Sequence, residues 1–338
     1  MKTGKVSQAV LDRSVLRSLA LAHAAGEGAA FGADCGFFPD ALPGSGAAGA
    51  SLIATLGGRF DRTPQMLVES VENNLAAAGA GLEWMVLHIF YPAEQEEGGL
   101  KALMKALAKA CGERGITVTG GHTEISRAVT RPVAALTGFG RPERTKENGS
   151  GNMPERGKGT EMDLVMSGWA GLAGTAILAE GGRTELLERY PVSLVEAAAR
   201  FGASASVREA ARAGNHFGVS AMHDVSQGGV FGALWELAER VGAGLEVDLK
   251  KIPIRQETIE ICEFYDLNPY QLYGQGALLF CTERGEPLAG RLRETGIAAE
   301  VIGRIRGGND RIIRNGEETR FLDRPAQDEL WRLAEHIF

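Results

Sequence analysis

The chain has 338 residues, of which 44% are hydrophobic and 23% are charged. This length and composition are typical of a globular protein with two domains and exclude a disordered polymer. The formal net charge of −7 and the lack of a basic block argue against nucleic-acid binding. The N-terminus has no signal-peptide core, and no apolar run is long enough to span a bilayer, so we expect a cytoplasmic protein that does not enter a membrane.

The first half of the chain predicts alternating strands and helices. Short apolar runs predict strands at residues 52–56, 84–90, 116–119 and 133–139. Thr63 and Pro64, as N-cap and first-turn proline, predict a helix over 64–79, and a second helical pattern covers 100–111. The glycine-rich stretch 143–161 lacks periodicity and is interpreted as a linker or mobile loop.

The second half repeats the α/β alternation. Its apolar runs predict strands at residues 164–167, 219–222, 277–281 and 299–305. Helical patterns lie between them, and an amphipathic stretch runs over 327–337. We therefore predict a mixed α/β (α+β) protein with domains at 1–145 and 163–338, joined by a linker at 146–162.

One stretch of the second half leads from a strand through three glycines into a helix. Gly168, Gly171 and Gly174 form the spacing G-x-x-G-x-x-G, which is neither a P-loop nor a Rossmann fingerprint. The glycines either present backbone N–H groups to a phosphate or let the helix pack closely on the sheet. The sequence leaves both readings open.

A second such stretch covers residues 219–248. His223 and Asp224 lie in a predicted polar turn, and Gly228 and Gly229 then open an amphipathic helix. Small residues at a helix start let an anion approach the free N–H groups, and the helix dipole favours it. Asp224 either caps this helix or holds a metal ion.

In the first half, a predicted strand runs into Gly120 and Gly121, followed by His122, Thr123 and Glu124. Open α/β sheets bind ligands at the carboxyl ends of their strands, so we expect these polar groups to line a site. His122 is a candidate base, metal ligand or hydrogen-bond donor. A plain turn with a solvated histidine is the alternative.

Two further positions are candidates for metal or cofactor binding. Asp34 lies between small residues, which suits either a Mg²⁺ ligand or an ordinary turn. Asn74 follows Leu67 by two helical turns and is predicted on the apolar face of the 64–79 helix, with Asn73 pointing elsewhere. A buried amide needs a partner, so Asn74 either bonds within the core or lines a site.

These segments, in this order, resemble the superfamily of aminoimidazole ribonucleotide synthetase, selenophosphate synthetase, thiamine-monophosphate kinase and the HypE-type hydrogenase maturation factors. The resemblance is closest to the HypE-type branch and its uncharacterised relatives. It is carried by GADCG, NNLAAAGA, GGHTE, GWAGLAGTAILA, HDVSQGG and CEFYDLNPYQLYGQGALLF.

The resemblance implies a first domain whose four-stranded sheet pairs across a homodimer into a barrel, and a larger second α/β domain. It implies ATP and Mg²⁺ in a cleft between the domains, with Asp34 on the metal and a small-molecule substrate activated at an oxygen atom. The catalytic candidates are His122, Glu124, His223 and Asp224. The cofactor-binding candidates are Asn74, Gly120, Gly121, Thr123, Gly168, Gly171, Gly174, Gly228 and Gly229.

The chain also departs from the family pattern. Asn73-Asn74 replaces the family's N-D pair, and Thr55-Leu56 replaces a T-D pair. The chain ends without the terminal cysteine of a HypE-type factor, which argues against the usual thiocyanate-forming reaction. One alternative is therefore a nucleotide- or metabolite-binding protein that has lost catalysis, and another is a transition-metal site built from His122, Glu124 and His223.

Overall fold

The computed structural model describes residues 7–16, 33, 35–38, 47–142, 161–325 and 327–337. The predicted loop at 143–161 and linker at 146–162 lie almost wholly outside these residues, as does Asp34. The described residues form two compact units, one within 34–143 and one from the remainder of the chain. No described helix has both the length and the apolar character needed to cross a bilayer.

The described elements combine two sheets with eleven α-helices. The strands are β1 (Gly36–Phe38), β2 (Ala47–Thr55), β3 (Ala80–Pro92), β4 (Thr117–Ser126), β5 (Val133–Pro142), β6 (Met162–Ser167), β7 (Ala221–Val225), β8 (Gly244–Asp248), β9 (Ala277–Thr282), β10 (Ala299–Arg306), β11 (Arg311–Asn315) and β12 (Glu318–Phe321). The helices are α1 (Gln8–Leu11), α2 (Pro64–Ala77), α3 (Glu97–Gly112), α4 (Leu172–Gly181), α5 (Arg183–Arg189), α6 (Val192–Ala199), α7 (Arg208–Phe217), α8 (Gly229–Val241), α9 (Gln256–Phe264), α10 (Gly285–Glu294) and α11 (Glu329–Ile337).

The first unit is a sheet with two helices on one face. The strand order is β1-β2-β5-β3-β4, and only the β3–β4 pair is parallel. The predicted four strands are present, and the three-residue β1 adds a fifth at one edge. Leu67 and Leu75 of α2 pack against Met85 and Leu136 of the sheet. The helix α2 begins as predicted, because the Thr63 hydroxyl oxygen accepts from the Met66 N–H at 3.2 Å.

The second unit is a seven-stranded sheet with order β12-β11-β8-β10-β6-β9-β7. Its pairs are antiparallel except for β8 with β11. The helix α8 buries Val230, Leu234 and Leu237 in the main core of this unit, as its predicted stripe requires. The strands β8, β11 and β12 were not predicted, because their short runs are broken by charged residues.

Two predicted strand ends are wrong, and both bear on the site. The strand predicted at 116–119 continues through Gly120–Glu124 to Ser126, so this motif lies within β4 rather than beyond its end. The strand predicted at 219–222 is instead β7, which includes His223 and Asp224. Glycines and polar side chains suggested turns at both places. In each case backbone pairing with a neighbouring strand extends the strand.

Candidate functional site

The strand β4 carries the polar motif of the first unit along an exposed edge. His122 and Glu124 are exposed on the same face of the strand, and the His122 Nε2 atom lies 3.7 Å from the Glu124 carboxylate. Thr123 is exposed on the other face, as strand alternation requires. A Cβ atom at Gly121 would collide with the backbone carbonyl of Leu87. The motif therefore offers a histidine and a carboxylate to a ligand from an open strand.

The turn containing Gly168, Gly171 and Gly174 is occupied by other parts of the chain. The Gly168 N–H donates to the carbonyl of Ala298 and the Gly174 N–H to the carbonyl of Tyr273, both at 2.8 Å. These two N–H groups are therefore already paired within the fold, and phosphate binding by them stays a prediction. A Cβ atom at Gly174 would lie 2.5 Å from the Leu272 side chain. Close packing accounts for the spacing.

The start of α8 is also filled by the protein itself. The Gly228 N–H donates to a carboxylate oxygen of Asp328 at 2.6 Å. A Cβ atom at Gly229 would lie 2.6 Å from the carbonyl oxygen of Tyr270. In this structure the N–H group of Gly228 is therefore occupied by a side chain of the C-terminal segment. Phosphate binding by Gly228 stays a prediction, and it would require the phosphate to displace the Asp328 carboxylate.

His223 and Asp224 are buried, not displayed in a polar turn. Their exposed fractions are 1% and 4%. The His223 Nε2 atom lies 3.2 Å from the carboxylate of Glu236 on α8. Consecutive strand residues point to opposite faces, so His223 and Asp224 cannot act together on one group. Glu236 was missed because its partner lies thirteen residues away in a different element.

The positions expected to hold a metal do not form a complete site among the described residues. No three His, Cys, Asp or Glu side chains there are placed to hold one ion. His122 and Glu124 lie in one unit and His223 in the other, so the transition-metal site stays a prediction. In α2 it is Asn73 that is buried, while Asn74 is half-buried, which reverses the prediction.

An acidic residue does lie near the end of β2, where the family pattern has a T-D pair. Asp61 accepts from the Thr55 hydroxyl at 3.0 Å and from the Gly58 N–H at 2.9 Å. Its carboxylate also lies 3.1 Å from the Arg131 guanidinium. These partners hold the loop that leads into α2 and neutralise the carboxylate.

The chain contains both domains of the AIR synthase related proteins and belongs to that family. The N-terminal domain model matches residues 58–141, and the C-terminal domain model matches residues 162–314. The matches follow the two sheets in chain order.

The chain is similar in sequence to HypE and in fold to HypE and ThiL structures. The chain is 27% identical over 242 residues to carbamoyl dehydratase HypE of Rhodobacter capsulatus, an alignment covering 69% of this chain and 66% of that protein. The fold is similar to HypE in the HypE–HypF complex, with a TM-score of 0.73, 19% identity and coverage of 92% of this chain and 100% of that one. It is also similar to AaThiL complexed with AMPPCP and TMP, with a TM-score of 0.67, 18% identity and coverage of 94% and 97%.

Proposed function

We propose that the protein binds ATP, with Mg²⁺ as counter-ion, and uses it to activate an oxygen atom of a small-molecule substrate. The supporting observation is that both AIR synthase related domains occur in order in one chain. The similarity to a ThiL structure that holds AMPPCP adds support for a nucleotide. We propose, as the resemblance implies, that Asp34 contacts the metal.

The described residues divide into those that a ligand can reach and those that support the fold. In the proposal, His122 and Glu124 contact the ligand, because both are exposed on one face of β4. On the same strand, open space lies where a Cβ atom of Gly120 would be, which allows close approach by a phosphate. His223, bonded to Glu236 inside the core, becomes a residue that positions α8 against β7. The proposed chemistry therefore rests on β4.

A thermal-shift experiment tests nucleotide binding. A ligand that binds only the folded protein at about 100 times its Kd stabilises it by about 2.7 kcal/mol, so ATP and AMPPCP should each raise the melting temperature. His122→Asn and Glu124→Gln should reduce this rise, whereas Glu97→Gln, an exposed acid of the same unit paired with Lys101, should not. No rise with either nucleotide, with and without Mg²⁺, contradicts the proposal.

Turnover is tested separately from binding. Release of ADP or AMP would be measured against a panel of carbamoyl, amide and phosphate compounds. A catalytic protein should accelerate ATP consumption with one class of substrate and lose that activity in the Glu124→Gln variant. Binding of ATP without turnover on any compound favours the second candidate, a nucleotide-binding protein that has lost catalysis.

That second candidate is supported by the amide at position 74. Asn74 stands where the family has an aspartate, and a carboxylate attracts a hard divalent cation more strongly than an amide does. Asn74→Asp should therefore tighten Mg²⁺ binding by about tenfold, which corresponds to about 1.4 kcal/mol. Isothermal titration with MgCl₂ measures it, with Asn315→Asp on an exposed hairpin as control. An unchanged affinity contradicts the view that a lost ligand explains the departure.

A further inference from the structure

An arginine packs against two aromatic rings beside the glycine turn of the second unit. The guanidinium carbon of Arg255 lies 5.2 Å from the centroid of the Trp169 ring and 5.5 Å from that of Phe201. Trp169 directly follows Gly168, at the end of β6, and Phe201 lies in the 3₁₀ helix Arg200–Ser204. Stacking on aromatic faces fixes the plane of a guanidinium and attracts its charge.

The backbone brings Trp169 and Arg255 together without help from their side chains. The Ala170 N–H donates to the carbonyl of Pro253 at 2.8 Å, and Ala170 pairs with Ile254 in an isolated parallel bridge. Trp169 and Arg255 are the chain neighbours of this bridge. Because backbone hydrogen bonds set their separation, the two side chains are in place before any ligand arrives, which lowers the entropy cost of binding.

These side chains keep hydrogen-bond donors that no described residue satisfies. Arg255 uses Nε and Nη2 toward the Glu257 carboxylate, each at 3.4 Å. Across the described ranges, neither Arg255 Nη1 nor the Trp169 indole N–H has a protein acceptor. The Arg255 side chain is 42% exposed, so the Nη1 end of its guanidinium is open to solvent. A guanidinium has five N–H donors, and the pair with Glu257 engages one edge only.

The Glu257 carboxylate balances the charge at one edge of Arg255, and the start of a nearby helix adds partial positive charge. The helix α4 begins at Leu172, three residues after Trp169, and the N-terminal end of a helix carries partial positive charge. An open guanidinium edge matches the two oxygens of a carboxylate or a phosphate, and the indole N–H adds a donor. We propose that Trp169, Arg255 and Phe201 form a binding site for the oxyanion of a small ligand. The site extends the proposed function, since binding here does not require ATP.

The test uses simple anions as probes. Inorganic phosphate and malonate would be titrated into the full chain at constant ionic strength, with chloride as the reference salt, because screening alters any charge interaction. Isothermal titration gives the affinity, and tryptophan fluorescence reports the site. We expect saturable binding of at least one probe, a weakening of at least tenfold in Arg255→Gln, and loss of the fluorescence change in Trp169→Phe.

A matched control separates this site from general charge effects. Arg189 lies 5.5 Å from the ring of Tyr190 and 3.8 Å from the Glu263 carboxylate, so Arg189→Gln removes a stacked, ion-paired arginine elsewhere on the same unit. It should leave probe affinity unchanged. Arg255→Lys keeps the positive charge but lacks the planar pair of N–H donors, so it should also weaken binding. It replaces Arg255→Gln if that variant does not fold.

Two results overturn the site: no saturable binding of either probe, or equal affinity in the wild type, Arg255→Gln and Arg255→Lys. An arm with ATP and Mg²⁺ identifies the source of the oxyanion. If Arg255→Lys weakens both ATP and the probes, the oxyanion is a nucleotide phosphate. If it weakens the probes alone, the oxyanion belongs to a separate small ligand. Absence of ATP binding contradicts the proposed function and leaves the probe result intact.

Discussion

Asp328 shows how one side chain can fix the C-terminal segment of the chain. Its buried carboxylate accepts from the N–H groups of Gly228 at 2.6 Å and Leu330 at 2.9 Å. Burial raises the pKa of Asp328 to about 7, against the opposing effect of backbone donors that include Gly228, Leu330 and Tyr273. Among the described ion pairs, none joins Asp328 to a lysine or an arginine. Backbone N–H groups are therefore the main groups that stabilise its negative charge.

The raised pKa of Asp328 predicts how stability depends on pH. The folded protein holds this proton more tightly than the unfolded chain does, since the ordinary pKa is 3.8. The free energy of unfolding should therefore fall as pH rises from about 4 to about 7, by on the order of 2–4 kcal/mol, and then level off. Asp328→Asn, which has no titrating group, should flatten this part of the curve. Urea unfolding at several pH values measures it, and an unchanged pH dependence in the variant contradicts the assignment.

The same residue marks a limit of sequence-based prediction at this scale. The glycine pair at 228–229 indicated a helix start, and α8 does begin at Gly229. Nothing near it indicated that Asp328, a hundred residues later, accepts from the Gly228 N–H. Likewise, the spacing in α2 placed Asn74 on the buried face, but the helix is buried over most of its surface and Asn73 is the more deeply covered. Local periodicity does not report contacts made by the rest of the fold.

At the scale of elements, the described helices of the first unit leave one face of its sheet without a helix. Registers across β2, β5, β3 and β4 place Ile53, Ala135, His88 and His122 in one row on that face. Ile53 has an exposed fraction of 62%, which is unusual for an isoleucine in the middle of a sheet. We propose that a second copy of the chain covers the part of this face around Ile53, as the family resemblance implies, so that His122 on the edge strand β4 lies next to the dimer interface and stays open to a ligand.

The dimer proposal makes a prediction with an internal control. Ile53→Glu places a charge within the proposed interface and should convert a dimer into a monomer, because an unpaired buried charge costs several kcal/mol. Ile125→Glu, on the opposite side of the sheet at 58% exposure, should not alter the oligomeric state. Light scattering coupled to gel filtration measures the mass. A monomeric wild type, or a dimeric Ile53→Glu variant, contradicts the proposal.

Element boundaries were predicted well where local sequence signals agree. They were predicted poorly where hydrogen bonding to a neighbouring strand sets the end of a strand. Thr63-Pro64 fixed the start of α2, and the apolar runs located the cores of β3, β5, β6, β9 and β10. The end of β4 was wrong, because Gly120 and Gly121 signal a turn in isolation. In the fold they pair with Val86 and Leu87 of β3, which keeps the strand extended as far as Ser126.

At the scale of the whole molecule, sequence motifs identified the family and the order of its two domains. They did not indicate that the described N-terminal helix groups with the second unit, where the Gln8 side chain accepts from the Trp235 indole N–H at 3.1 Å. They also gave no sign of the Arg255 site, since its three members lie in separate elements. Motif order is therefore informative about ancestry, whereas the residues of a site depend on contacts across long chain separations.

The filled glycine turns also bear on how the chain folds during synthesis. The atoms that pack against Gly168, Gly174 and Gly229 lie within residues 270–298. The carboxylate that accepts from the Gly228 N–H belongs to Asp328. When α4 leaves the ribosome, about a hundred further residues must still be made before the segment that contacts its glycines is complete. At about 5–20 residues per second, this face stays uncovered for several seconds. The second unit should therefore complete its fold late in synthesis, and the interval before that is when its unpaired glycine backbone is exposed to chaperones and proteases.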